Sequence, residues 1–213
     1  MHQVVGLHSQ FDELQKIHGD SSLSPIYGAG DIRGPRVMFI FMNPTARNIS
    51  SRPSWDGLRA PWIGTKLVWG LFREVGLLDE WIFHQIVSYR PEQWTRAFAQ
   101  QVYEDLEKRS VYITNLAKCT QVDSRPLPDR VYRDYVALMY QEIETVNPKK
   151  IVSFGNQVSS LLLNKKVRVG DYSDDSYEQL LLNRSFNVYP TYYPVGQGRR
   201  NQPAAIERIN SII

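Results

Sequence analysis

The sequence holds one cysteine, Cys119, in 213 residues. One thiol cannot close an intramolecular disulfide, complete a four-cysteine zinc site or carry a cysteine-ligated iron–sulfur cluster. That usage fits a reducing, intracellular setting. Long apolar runs are also missing, since nothing approaches the roughly 18 residues of a membrane span. Met1–His8 lacks a charged stretch followed by an apolar one, so no signal peptide is expected. Net charge is a weak +3, which permits nucleic-acid contact without demanding it. The histidines His2, His8, His18 and His84 have no metal-ligand spacing, and none follows His84. No Ser–His–Asp arrangement is legible, and Gly28, Gly30 and Gly34 precede a strand rather than follow one, so they make no dinucleotide fingerprint.

What the chain does have is apolar runs of strand length alternating with helical patterns. Val37–Met42 is apolar throughout and runs into Asn43-Pro44, which reads as a strand buried on both faces. Val111–Asn115, Ile151–Gly155 and Asn187–Thr191 are three more such strands. Helical spacing is expected over residues 9–18, 67–75, 92–109, 129–146, 156–163 and 202–212, with Asp129 and Asn156 as candidate caps. Residues 81–89 fit helix or strand, and 164–186 read as a polar loop or small hairpin. Alternation of this kind predicts an α/β fold, a three-layer αβα sandwich around a mostly parallel four-stranded sheet. A single domain over 1–213, with 1–26 as an N-terminal extension, is expected; a chain this long buries roughly 70% of its unfolded surface. The strand ends carrying Asn43, Asn115 and Tyr193 should line one crevice, where parallel sheets bind ligands.

Four stretches of the chain resemble the uracil-DNA glycosylase superfamily. Tyr27-Gly28-Ala29-Gly30-Asp31 running into Met38-Phe39-Ile40 is similar to the approach to the first strand in the iron–sulfur branch. Met42-Asn43-Pro44 resembles the Met-Asn-Pro of the single-strand-selective branch. Pro61-Trp62-Ile63-Gly64 is similar to a Pro-Phe-Val-Gly segment, and Tyr112–Cys119 with Asn147–Gly155 follows the iron–sulfur branch. The resemblance spans about residues 27–205. It implies a divergent member: Thr45 stands where glycine or a bulky aromatic is usual, Tyr193 replaces a histidine, and Val195–Gly198 replaces a serine-containing wedge.

Carried over, the resemblance implies a metal-free and cofactor-free monomer acting on DNA that contains a damaged base. Asn43 would orient the attacking water and Tyr193 would support the base carbonyl as it becomes an oxyanion. Trp62 would stack on the base, Asn115 would read its edge, and Thr45 would border it. Arg47, Pro194, Gln197, Arg199 and Arg200 would meet the strand. The chemistry is self-consistent. An amide offers both a donor and an acceptor to a uracil edge, a tyrosine hydroxyl is a neutral donor, and an indole face stacks on any base. Two rival readings remain open, a catalytically silent DNA-binding protein on the same fold and a hydrolase of a small N-glycoside.

Overall fold

The computed structural model describes residues 6–125 and 127–213. Its centre is a sheet of six strands in the order β1-β3-β2-β4-β6-β5. These are β1 (Ala29–Gly30), β2 (Val37–Phe41), β3 (Val111–Asn115), β4 (Ile151–Phe154), β5 (Glu178–Leu181) and β6 (Ser185–Thr191). The four expected strands are the inner four, and they pair in parallel. The short strands β1 and β5 pair antiparallel and close the two edges. The stretch 164–186 therefore supplies one arm of a hairpin, β5 with β6.

Side chains alternate across the sheet as a two-residue period requires. Val37, Phe39 and Phe41 face one layer of helices, α2 (Leu67–Glu74), α3 (Glu80–Ser88), α4 (Arg96–Lys108) and α7 (Gln202–Ile212). Met38 and Ile40 face the other, α1 (His8–His18), α5 (Asp129–Val146) and α6 (Asn156–Leu162). Burial on both faces explains why these strands are apolar throughout.

Local chemistry settles the ambiguous stretch 81–89 as helix. The Asp79 carboxylate accepts from the Trp81 and Ile82 amides, and Ile82 and Ile86 lie one turn apart in the core. The two candidate caps do other work. Asp129 sits inside the first turn of α5 and accepts from Gln157 Nε2 at 2.8 Å. Asn156 Oδ1 accepts from the Val169 amide at 2.9 Å, while Gly155 precedes α6.

One close approach binds β1 to the core. A Cβ on Gly28 would lie 2.1 Å from the Tyr112 hydroxyl and 2.5 Å from Glu142 Oε1, so only glycine passes there. Among the described residues, no helix is long and apolar enough to cross a membrane.

Candidate active site

At the carboxyl end of the inner strands lies a cleft of about 560 Å³. Phe41, the last residue of β2, pairs in register with Asn115, the last of β3. The chain then continues in two loops that remain zipped together. The Leu116 and Ala117 amides donate to the Phe41 and Met42 carbonyls, and the Ala46 amide donates to the Gln121 carbonyl at 2.8 Å. Asn43 and Asn115 are thereby fixed beside one another, and both line the cleft.

The long loop 44–64 is ordered by one buried side chain. Asn48 Oδ1 accepts from the Ser50 amide and hydroxyl, and Asn48 Nδ2 donates to the Ala60 carbonyl at 2.7 Å. The Ile49 amide donates to the Ile63 carbonyl at 3.0 Å. The far end of the loop, carrying Trp62, is thus drawn back over the strand ends. Trp62 holds a left-handed φ of 70°, which disfavours a bulky residue. Its carbonyl accepts from the Thr65 amide and hydroxyl and from Trp69 Nε1, which pins that geometry. The Tyr103 hydroxyl also donates to the neighbouring Pro61 carbonyl.

Phe41 is fully buried beneath the cleft and meets two aromatic walls. Trp62 stands edge-on to it at 5.0 Å and Tyr193 at 6.2 Å. Tyr193 leaves the end of β6, and the chain folds straight back over it. A Cβ on Gly198 would lie 2.1 Å from the Tyr193 carbonyl oxygen, so this return requires glycine. Burial pushes the Tyr193 hydroxyl above its ordinary range, so it stays neutral and able to donate.

Of the residues singled out in the sequence, Asn43, Thr45, Arg47, Trp62, Asn115 and Tyr193 all line this cleft. Pro194 is buried beside it, and Arg199 and Arg200 are exposed on the following turn, outside its lining. The Gln197 side chain lies outside the described part of the structure. Asn115 is 2% exposed, and among the described residues its Nδ2 finds no hydrogen-bond partner. A buried amide left open costs free energy unless something supplies an acceptor.

Sequence reasoning missed several members. Arg52, Lys66 and Arg125 also line the cleft. Arg52 lies 3.6 Å from Glu92, Arg125 lies 2.8 Å from Asp123, and Lys66 donates to the Val87 carbonyl. Tyr132 of α5 donates from its hydroxyl to Asn43 Oδ1 at 2.7 Å. Burial raises the Tyr132 hydroxyl well beyond its ordinary range, and Tyr193 nearby raises it further.

Cys119, the single cysteine, is buried in the core. Among the described residues, no three His, Cys, Asp or Glu side chains gather as a metal ion requires.

The strand ends of an α/β sandwich thus bring two asparagines, a tryptophan and a tyrosine around one cleft. Comparison with protein families matches residues 27–212 to the Uracil DNA glycosylase superfamily, and the chain belongs to that family. Membership supports a glycosylase-like function. No individually curated protein matches the chain.

Proposed function

We propose that this cleft receives a base swung out of DNA and hydrolyses its N-glycosidic bond, with uracil or a related deaminated base as the substrate. The observation that carries this reading is the convergence of Asn43, Trp62, Asn115 and Tyr193 from separate segments of the chain onto one cleft. N-glycosidic hydrolysis makes the sugar cationic and sends the base off as an anion, so the protein must hold a water and stabilise developing negative charge. Asn43 offers a carbonyl oxygen that positions the water. Asn115 Nδ2 donates to the base edge, and a base without an acceptor there leaves that amide unpaired, which is how such a site discriminates. Tyr193 donates to the carbonyl that gains charge. Trp62 gives a stacking face, worth roughly 1–3 kcal/mol per base, and Thr45 borders the base.

Arg47 at the cleft, with Pro194, Arg199 and Arg200 on the loop beyond, meets the sugar–phosphate strand. The protein works inside the cell, in a base-excision role, as a monomer without metal or cofactor.

The test is excision from oligonucleotides carrying uracil or hypoxanthine, single-stranded and duplex, read as abasic product after alkali. Product formation that falls steeply but stays measurable with Asn43→Ala is the expected result. Tight DNA binding without product from folded protein overturns the hydrolase reading in favour of a silent DNA-binding protein. Release of base from nucleosides but not from DNA overturns it in favour of a small N-glycoside hydrolase.

A further inference from the structure

The carboxamide of Asn43 has two ends, and the fold distinguishes them. Among the described residues its Nδ2 makes one hydrogen bond, 3.2 Å to the carbonyl of the adjacent Pro44. Its Oδ1 accepts from the Tyr132 hydroxyl at 2.7 Å. Tyr132 is fully buried and comes from α5, 89 positions along the chain. Packing alone does not call for an oxygen there, since a phenyl ring would fill the same space.

We infer that Tyr132 is a positioning residue for Asn43, anchoring its Oδ1 so that one lone pair is left to direct a water. This deepens the glycosylase reading and rests on it. A tyrosine hydroxyl can donate or accept, so it would tolerate either amide orientation on its own. The Pro44 carbonyl breaks the tie, because a flipped amide would set Oδ1 against another acceptor. The two contacts together leave one arrangement, Oδ1 toward Tyr132 and Nδ2 toward Pro44. A carbonyl oxygen has two lone pairs. Tyr132 occupies one, and the other remains for a single water, whose direction is then set by α5 rather than by a mobile side chain. The hydroxyl keeps its proton because burial and the adjacent Tyr193 both disfavour the phenolate. The donor is therefore present across the working pH range.

The consequence is kinetic. A water held in place contributes to the reacting complex and not to ground-state binding, so its loss appears in kcat. The experiment compares wild type, Tyr132→Phe, Asn43→Ala and the double variant on a uracil oligonucleotide. Tyr132→Phe is expected to lower kcat about 3- to 10-fold, the span one hydrogen bond represents, with KM unchanged. In the Asn43→Ala background the same substitution is expected to change nothing, because the two act as one unit. A rise in KM alone, or an effect that adds fully to Asn43→Ala, overturns the proposal. A second readout does not depend on activity. The Asn43 side-chain amide protons, followed by NMR, are expected to exchange slowly in wild type and faster in Tyr132→Phe. If wild type excises nothing, a change in that exchange upholds the positioning role while the glycosylase reading falls. Unchanged exchange overturns the positioning role whatever the activity.

Discussion

Lys118 Nζ and Glu142 Oε2 lie 2.6 Å apart with neither side chain exposed to solvent. Burial pulls the Lys118 ammonium pKa down, and Glu142 draws it back up. The ammonium also donates to Thr114 Oγ1 and to the Asn115 carbonyl at 2.6 Å, and Glu142 Oε1 accepts from Tyr112 at 2.8 Å and Thr114 at 2.9 Å. The pair therefore grips the end of β3, where Asn115 leaves the sheet. Removing one member strands the other charge in the core, at a cost of about 3–5 kcal/mol. Glu142→Gln and Lys118→Met should each lower the unfolding free energy by about that much in urea. The paired replacement Lys118→Met/Glu142→Leu should recover only part of the loss, because it removes both buried charges but takes partners from Tyr112, Thr114 and the Asn115 carbonyl.

Asn115 invites the opposite experiment. Its Nδ2 is buried without a partner among the described residues. An unsatisfied buried donor costs about 1–3 kcal/mol, and an apolar side chain of similar size does not carry that cost. Asn115→Leu should raise the unfolding free energy by about 1 kcal/mol. The same variant should lower excision at least ~100-fold, by analogy with sites whose hydrogen-bond readout is lost. A protein that becomes more stable and less active separates binding from scaffold, since a purely structural asparagine would lose both together.

These residues also mark what was legible in the sequence. The inner strands were, because burial on both faces demands apolar runs such as Val37–Phe41 and Ile151–Phe154. The edge strands were not. Ala29–Gly30 is held by its register against Tyr112 and Ile113 and not by any strand-forming tendency of its own. Asn43, Trp62, Asn115 and Tyr193 were legible through local motifs. Tyr132 was not, because it falls on the buried stripe of α5 and its hydroxyl has meaning only once β2 ends beside it. The Lys118–Glu142 pair was not legible, since sequence alone does not reveal that these two charges meet inside. Arg52, Lys66 and Arg125 lie in or beside loops, and only the folding of those loops brings them to the cleft.

His8 predicts a pH dependence of stability. Its ring stacks on Tyr27 with centroids 3.7 Å apart, and burial holds its pKa below the ordinary value despite Asp12 and Glu142 nearby. Between the lowered folded value and the ordinary value of about 6.5, the unfolded chain binds more protons. Stability from this group is therefore fully present above about pH 6.5 and declines as pH falls through that window. Asp20, Asp123 and Glu178 are held below the usual carboxylate range and act at lower pH. Urea unfolding at a series of mildly acidic pH values should show the decline in wild type. His8→Phe, which keeps a stacking ring and removes the proton, should flatten it.

Arg47 carries the last prediction. It is exposed at the cleft, and among the described residues it makes no ion pair, whereas Arg52 and Arg125 lie near Glu92 and Asp123. A cation without a carboxylate partner can give its whole charge to a phosphate. Each phosphate contact adds about −0.7 to the slope of log affinity against log salt for a single strand and about −0.9 for a duplex. Arg47→Gln should make that slope shallower by about one such increment, measured by fluorescence anisotropy on a uracil oligonucleotide. Arg199→Gln should change it less, because Arg199 stands outside the cleft lining. Arg52→Gln should fall between the two, since Glu92 already offsets part of the Arg52 charge. A slope near zero in wild type would sink every DNA-binding reading of this protein at once, because affinity for a phosphate backbone must weaken as salt rises.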